Sequence, residues 1–133
     1  AKGLGWFMQY VNMLRDIKED FDNNLVYIPQ EKLKEYNVTS LEQALYEKDK
    51  ALCNLVKDEA TKALKTYNED VKEGINAIPY TLRIAIQTAA DMYVWTAKEL
   101  QRDTQRAIKT KKMPNRVHVF TKGIANIVTC YKN

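Results

Sequence analysis

A chain of 133 residues, 45% hydrophobic and 29% charged, is long enough for one domain with a real core and has the composition of an ordinary folded protein. Four glycines and three prolines are too few for a turn-rich β architecture, and no apolar run approaches the roughly 20 residues of a membrane span. The net charge of +4 is spread along the chain apart from Lys109, Lys111 and Lys112; it suits anionic ligands in general and gives no footprint for nucleic acid.

The first predicted helix runs from about Leu4 to Phe21 or Asp22 and closes at Asn23-Asn24, residues that tolerate a left-handed cap. Along it Gln9, Asn12, Asp16 and Asp20 succeed one another at helical spacing, so they stack on one face with about 6 Å between turns. Leu4, Phe7, Tyr10, Val11, Leu14 and Phe21 fall on the opposite arc at about 100° per residue. One side is therefore apolar and the other a stripe of amides and carboxylates. Two like charges one turn apart repel by a few tenths of a kcal/mol. A hard, oxygen-seeking cation such as Mg²⁺ would offset that repulsion. Local neutralisation by Arg15 and Lys18 is the plainer alternative. The amides that continue the stripe, and the small Gly5 on the same side, favour a ligand. Ala1-Lys2-Gly3-Leu4-Gly5 runs into this helix without an initiator Met or a capping residue, which suggests a piece of a longer chain.

Leu25-Val26-Tyr27-Ile28-Pro29 follows as an extended segment, because a residue before proline is pushed out of the α region. Gln30 to Tyr36 predicts a short helix with Leu33 and Tyr36 inward, and Ser40 with Gln43 forms a capping box for another. From Asp49 to about Glu73 the apolar positions Leu52, Leu55, Val56, Ala60, Ala63, Leu64, Tyr67 and Val71 predict a long amphipathic helix, stopped by Gly74. After Pro79 a helix is expected from Tyr80 to about Ile108, with Ala85, Ala89, Ala90 and Ala97 allowing close approach and a charged, solvated tail from Lys98 to Arg106. Lys109 to Pro114 forms a basic linker, and Asn115 caps a last helix carrying Val117, Phe120, Ile124, Ile127 and Val128. Cys53 and Cys130 match no metal spacing and imply reduced thiols in a cytosolic protein; no signal peptide is visible. His118 stands alone and fits a helix face better than a ligand or base. The fold class is all-α, with residues 1–133 as a single helical domain.

The stretch Gly3-Leu4-Gly5-x3-Gln9-x2-Asn12-x2-Arg15-Asp16-x2-Glu19-Asp20, followed by Tyr27-x-Pro29, resembles the second aspartate-rich motif of the squalene/phytoene synthase family. Weaker echoes lie in the Pro79 helix with Tyr93 and in Arg116-Val117. The resemblance implies a helical bundle of the isoprenoid synthase type, of which this chain would be the C-terminal half, and a Mg²⁺-dependent head-to-head joining of two prenyl diphosphates. It implies that Asp16 and Asp20 bind Mg²⁺ and are catalytic. Gln9 and Asn12 would line the same cleft, Arg15 would contact diphosphate or a carboxylate (a salt bridge to Glu19, one turn along the same helix, being its plainer alternative), and Tyr27 would close the site near the reacting carbons.

An allylic carbon parts from diphosphate only if the departing charge is neutralised, and the cation left behind needs an apolar, aromatic-lined space. Phe7, Met8, Tyr10 and Met13 are candidate walls. Asn24-Leu25 stand where the family usually has Gly-Arg, and no second D-x-x-x-D occurs in these residues, so the chain alone is expected to be inactive. The resemblance also implies NADPH only if the product is squalene, and peripheral membrane contact through a lipid product; the charge and the cysteines add the expectations of no nucleic-acid partner and a cytoplasmic protein. The central helix, short of partners on one side, would expose apolar surface and favour a homo-oligomer or swapped assembly. A non-catalytic helical interaction module and an all-α Mg²⁺-dependent nucleotide pyrophosphohydrolase are the rival readings.

Overall fold

A computed structural model describes residues 2–47 and 49–131, in which helices and their connections are the only elements and no strand occurs. Helix α1 (Lys2–Arg15) lies against two long helices, α5 (Lys50–Thr66) and α7 (Tyr80–Arg102). Its Phe7, Val11 and Leu14 are fully buried. Phe7 and Val11 join Ala63, Tyr67, Val71, Ile75, Ala90 and Ala97 in one apolar cluster. Leu14 joins Leu52, Leu55, Val56, Leu100 and Ile108 in a second. One helix thus spans both halves of the core, and its buried arc is the one that the apolar periodicity marks out.

The first helix is not continuous. It breaks at Asp16, with φ −95° and ψ 7°, and resumes as α2 (Ile17–Asp22). The backbone bonds Asp16 N to Asn12 O and Asp20 N to Asp16 O survive at 2.8 Å, so the break is a kink and not a loop. Arg15 supplies the reason. Its Nε and Nη2 donate to Asp16 Oδ1 and Oδ2 at 2.7 and 2.6 Å. Adjacent side chains do not face each other on a regular helix, so a fork between neighbours needs the local distortion.

At the end of α2 Asn24 takes φ 61°, with Asn24 N donating to Phe21 O and Leu25 N to Asp20 O. That is the Schellman pattern the two asparagines announce. Asn37 repeats it after α3 (Gln30–Glu35), and α4 (Leu41–Tyr46) is capped by Ser40 Oγ accepting from Gln43 N. The reciprocal half of that capping box is not made, because the Gln43 amide donates to Glu47 instead.

Two helix ends differ from expectation. The helix after Asp49 passes through a π-helical turn, Tyr67–Val71, and continues as α6 (Lys72–Asn76) beyond Gly74. Glycine costs about 1 kcal/mol in a helix, whereas burying Ile75 gains about 2 kcal/mol; with Ile75 only 2% exposed, packing wins. The helix after Pro79 stops at Arg102, because Asp103 turns its carboxylate onto Arg106 N and starts α8 (Thr104–Thr110). The stretch from Lys98 to Arg106 is accordingly not simply solvated: Glu99, Leu100 and Thr104 are buried. Of the four alanines in α7, Ala90 and Ala97 are buried, while Ala85 and Ala89 are exposed.

Helix α9 (Arg116–Tyr131), capped by Asn115 Oδ1 on His118 N, packs along α7. The His118 ring lies 5.8 Å from Trp95. An exposed apolar row runs along α9, at Val117, Phe120, Ile124, Ile127 and Val128, and on the central helix α7 Leu82 is exposed as well.

The neighbours Trp6 and Phe7 separate core from cleft. Phe7→Ala should lower stability by about 3–5 kcal/mol in denaturant unfolding, because it empties a packed site against Tyr67. Trp6→Ala should cost under about 1 kcal/mol in the same assay, its ring being 47% exposed.

Candidate functional site

With the buried arc of α1 held between α5 and α7, the opposite arc has to face outward. It forms one wall of an open cleft of about 490 Å³ lined by Trp6, Gln9, Tyr10, Asn12, Met13, Asp16, Asp20 and Tyr27. The stripe Gln9, Asn12, Asp16 and Asp20 is therefore gathered in one concavity, and Tyr27 joins it from the extended segment at the lip, 58% exposed. Ile28, next to Tyr27, is buried and anchors that segment to the core. Gly5 is not among the residues lining the cleft, and a Cβ added there would meet nothing within 4 Å.

Arg15 is not in this cleft. It lines a second pocket of about 220 Å³ behind Asp16, with Lys18, Glu19 and Lys111. Its partner is the adjacent Asp16 and not Glu19. Lys111, from the turn after α8, reaches back to Glu19 and lies 3.5 Å from Asp16 Oδ1. Lys18 pairs with Asp22 at 2.6 Å. The basic linker thus serves acids of this chain, since Lys112 likewise meets Glu99 at 2.9 Å. Asp16 stands between the two pockets, held from behind by two cations and open in front.

The two aspartates differ electrostatically. Burial raises the Asp16 carboxyl, but Arg15 and Lys111 outweigh it and leave it below its ordinary value. Asp20 is raised, by burial first and then by the charges of Asp16 and Glu19. Asn12 is half-buried; its Nδ2 lies 3.5 Å from the Tyr93 hydroxyl on α7, and its Oδ1 is buried with no hydrogen-bond partner.

Behind the aromatic part of the wall, the Tyr10 hydroxyl donates to Glu59, a carboxylate 4% exposed that also meets Lys62 at 2.7 Å and Lys32 at 3.1 Å. Burial pushes Glu59 up, but Lys62, Tyr10 and Lys32 bring it to about 2. Burial and then Glu59 hold the Tyr10 phenol well above its ordinary value, so it stays protonated.

Among the candidate walls, Tyr10 and Met13 line the cleft, whereas Phe7 is core and Met8 packs against the core. Trp6, Lys111 and Glu59 escape the sequence reading. Two of them leave a trace in it. Trp6 stands one turn before Tyr10, and Glu59 is a carboxylate in the apolar register of Leu55, Val56 and Ala63. Lys111 leaves none.

The donor set suits a hard divalent cation. Mg²⁺ is commonly held through one or two carboxylates, with substrate phosphates and water completing its octahedron. Asp20, the Asp16 lone pairs outside the Arg15 fork and the unpartnered Asn12 Oδ1 are all oxygen donors. Among the described residues no three His, Cys, Asp or Glu side chains converge, so further ligands have to be amide, water or phosphate oxygens.

The sequence model of the squalene/phytoene synthase family matches residues 1–119. Over 93 residues the chain is 32% identical to a 15-cis-phytoene synthase of Synechocystis sp., a match covering 70% of this chain and 27% of that protein. Over 101 residues it is 30% identical to a bifunctional lycopene cyclase/phytoene synthase of Podospora anserina, covering 76% of this chain and 17% of that protein. The chain belongs to the squalene/phytoene synthase family, and it spans well under a third of the length of these relatives. Among the described residues no helix is long and apolar enough to cross a membrane.

Opposite pKa displacements give opposite stability effects. Asp16, held low, stabilises the fold above the ordinary value of 3.8, and that contribution disappears as pH falls through its lower folded value. Asp20, held high, favours the fold fully only below 3.8 and loses that preference as pH rises through its folded value. At pH 7, Asp16→Asn should therefore lower stability by about 1 kcal/mol. Asp20→Asn should leave it unchanged or raise it by a few tenths of a kcal/mol, as relief of like-charge repulsion allows. Urea unfolding of both variants at pH 7 checks the asymmetry; equal losses would contradict it.

Proposed function

We propose that this chain carries part of the site of a Mg²⁺-dependent transferase that condenses two prenyl diphosphates head to head, as in the synthesis of squalene, dehydrosqualene or phytoene. The single observation that carries the reading is the cleft in which Asp16, Asp20, Asn12 and Gln9 share a wall with an apolar, aromatic surface. A charged headgroup on a hydrocarbon tail needs both kinds of surface side by side. Family membership and the phytoene synthase relatives support the same chemistry.

In this reading Asp20 and Asp16 hold the cation at the polar end. When bound, Mg²⁺ supplies the Lewis acidity that neutralises a departing diphosphate. Arg15 acts through Asp16: its fork orients the carboxylate and keeps it ionised, and it does not reach the cleft itself. Asn12 offers its free Oδ1 from a position beside Tyr93, and Gln9 extends the polar wall toward the headgroup. Tyr27 stands at the lip, placed to cover the reacting carbons and exclude water. Tyr10 and Trp6 supply the apolar, aromatic part of the wall, which keeps water from the hydrocarbon part of the substrate.

The test is thermal. Mg²⁺ together with an inert prenyl diphosphate analogue at about a hundred times its Kd should stabilise the chain by about 2.7 kcal/mol, a rise of roughly 5 °C or more. The double variant Asp16→Asn with Asp20→Asn should keep its far-UV helical signal and lose the shift. No shift in the unsubstituted chain, or an undiminished one in the double variant, would overturn the reading, and protection by nucleotides in place of prenyl diphosphates would point to pyrophosphohydrolase chemistry.

A further inference from the structure

A further pocket, about 230 Å³ in volume, opens between α6, α7 and α9 and shares no lining residue with the aspartate cleft. Two cations line it from different helices, Lys72 on α6 and Arg83 on α7. Among the described residues neither makes an ion pair. Arg15, Lys18 and Lys111, behind Asp16, are by contrast each paired with an acid. Arg83 is also held in place. Its Nε donates to the Ile78 carbonyl at 2.9 Å. That bond orients the guanidinium and leaves the Nη edge for another acceptor.

The remaining wall offers acceptors. Asp91 takes one neutral amide on each oxygen, Gln87 Nε2 on Oδ1 at 2.9 Å and Asn126 Nδ2 on Oδ2 at 3.0 Å, and lines the pocket without an ion pair among the described residues. A carboxylate has about four lone-pair sites, so each oxygen can accept again. Asn126 lines the pocket although it is only 7% exposed; its Nδ2 also meets Thr88 Oγ1 at 3.2 Å, while its Oδ1 accepts from no donor among the described residues. Arg83 and Asp91 stand two turns apart on α7, about 12 Å along the axis, and do not pair with each other. The amide bonds around Asp91 tie α7 to α9 whether or not a ligand enters. The two cations have no such structural use.

We propose that this pocket binds a phosphate monoester of a small hydroxylated molecule, free in solution or as the head of a lipid. The Arg83 Nη edge and the Lys72 ammonium take the phosphate. Asp91 and Asn126 Oδ1 accept from the hydroxyl groups. A planar fork from one wall and a mobile ammonium from another suit an oxyanion with three terminal oxygens. A carboxylate would need Arg83 alone, and a simple cation would have no use for either basic residue. The site requires no metal, and it stands whether or not the aspartate cleft has the function given above.

The experiment is calorimetric titration of the chain, in metal-free buffer, with glycerol 3-phosphate, inorganic phosphate and glycerol. Glycerol 3-phosphate should bind at one site about fivefold more tightly than inorganic phosphate, and glycerol alone should not bind. Lys72→Gln and Arg83→Gln should each weaken both phosphates about tenfold. Asp91→Asn should remove the advantage of the ester and leave inorganic phosphate bound. The double variant Asp16→Asn with Asp20→Asn, remote from the pocket, should stay within about twofold of the unsubstituted chain. Lys72 is exposed, so Lys72→Gln keeps the test decisive if Arg83→Gln fails to fold. Flotation with phosphatidylcholine vesicles, with and without phosphatidic acid, separates the two sources. Retention by phosphatidic acid that Lys72→Gln abolishes assigns the phosphate to a lipid head; no retention, with glycerol 3-phosphate still bound, assigns it to a soluble ester. Failure of glycerol 3-phosphate to bind overturns the proposal. So does binding undiminished by Lys72→Gln, or lost in the double aspartate variant, since the phosphate would then lie elsewhere.

Discussion

The burial of Phe7, Val11 and Leu14 between α5 and α7 is the constraint on which the site depends. These three side chains lie on a narrow arc of α1, and each contributes about 1.5–3 kcal/mol by leaving water. Rotating the helix by a single residue step would expose at least one of them. The packing therefore fixes the helix about its own axis, and the opposite arc has no freedom in where it points. Gln9, Asn12, Asp16 and Asp20 face the cleft because Phe7, Val11 and Leu14 face the core. Stability in one arc defines geometry in the other.

Within that frame the two aspartates have been given unequal surroundings. Asp16 is neutralised from behind by Arg15 and Lys111, at the cost of a kink in the helix. Among the described residues Asp20 makes no ion pair; it carries the repulsion of Asp16 and Glu19, which Lys111 offsets only in part. An acidic pair kept for stability would be compensated at both members. This one is compensated chiefly at Asp16, which leaves Asp20, on the cleft wall, as the charge that a cation would relieve. The arrangement fits a site that is completed by its ligand.

A second buried carboxylate shows the complementary logic. Glu59 is satisfied by Tyr10, Lys32 and Lys62, and its pKa of about 2 keeps it charged through the physiological range. It ties α3 and α5 to the cleft wall of α1. The apolar row of α9, which packs along α7, is in contrast exposed at Val117, Phe120, Ile124, Ile127 and Val128 and contributes nothing to the cleft.

The sequence alone determined the helical class, the arc of the first helix that is buried, the residues sharing the polar stripe, and the asparagine and serine caps. Each of these rests on spacing along one helix or on a few consecutive residues, and such relations hold whatever the rest of the chain does. Only the tertiary structure decided the matters that depend on pairs remote in sequence. Lys111 reaches Glu19 and Asp16 across about ninety positions, Glu59 meets Tyr10 across 49, and Tyr93 approaches Asn12 across 81. The same holds where packing outweighed a local signal: the helix that runs through Gly74 to bury Ile75, and the Arg15 fork that bends the backbone at Asp16. Local pattern names the groups available to the site; which of them are neutralised, and from which side, is settled by what the fold brings alongside.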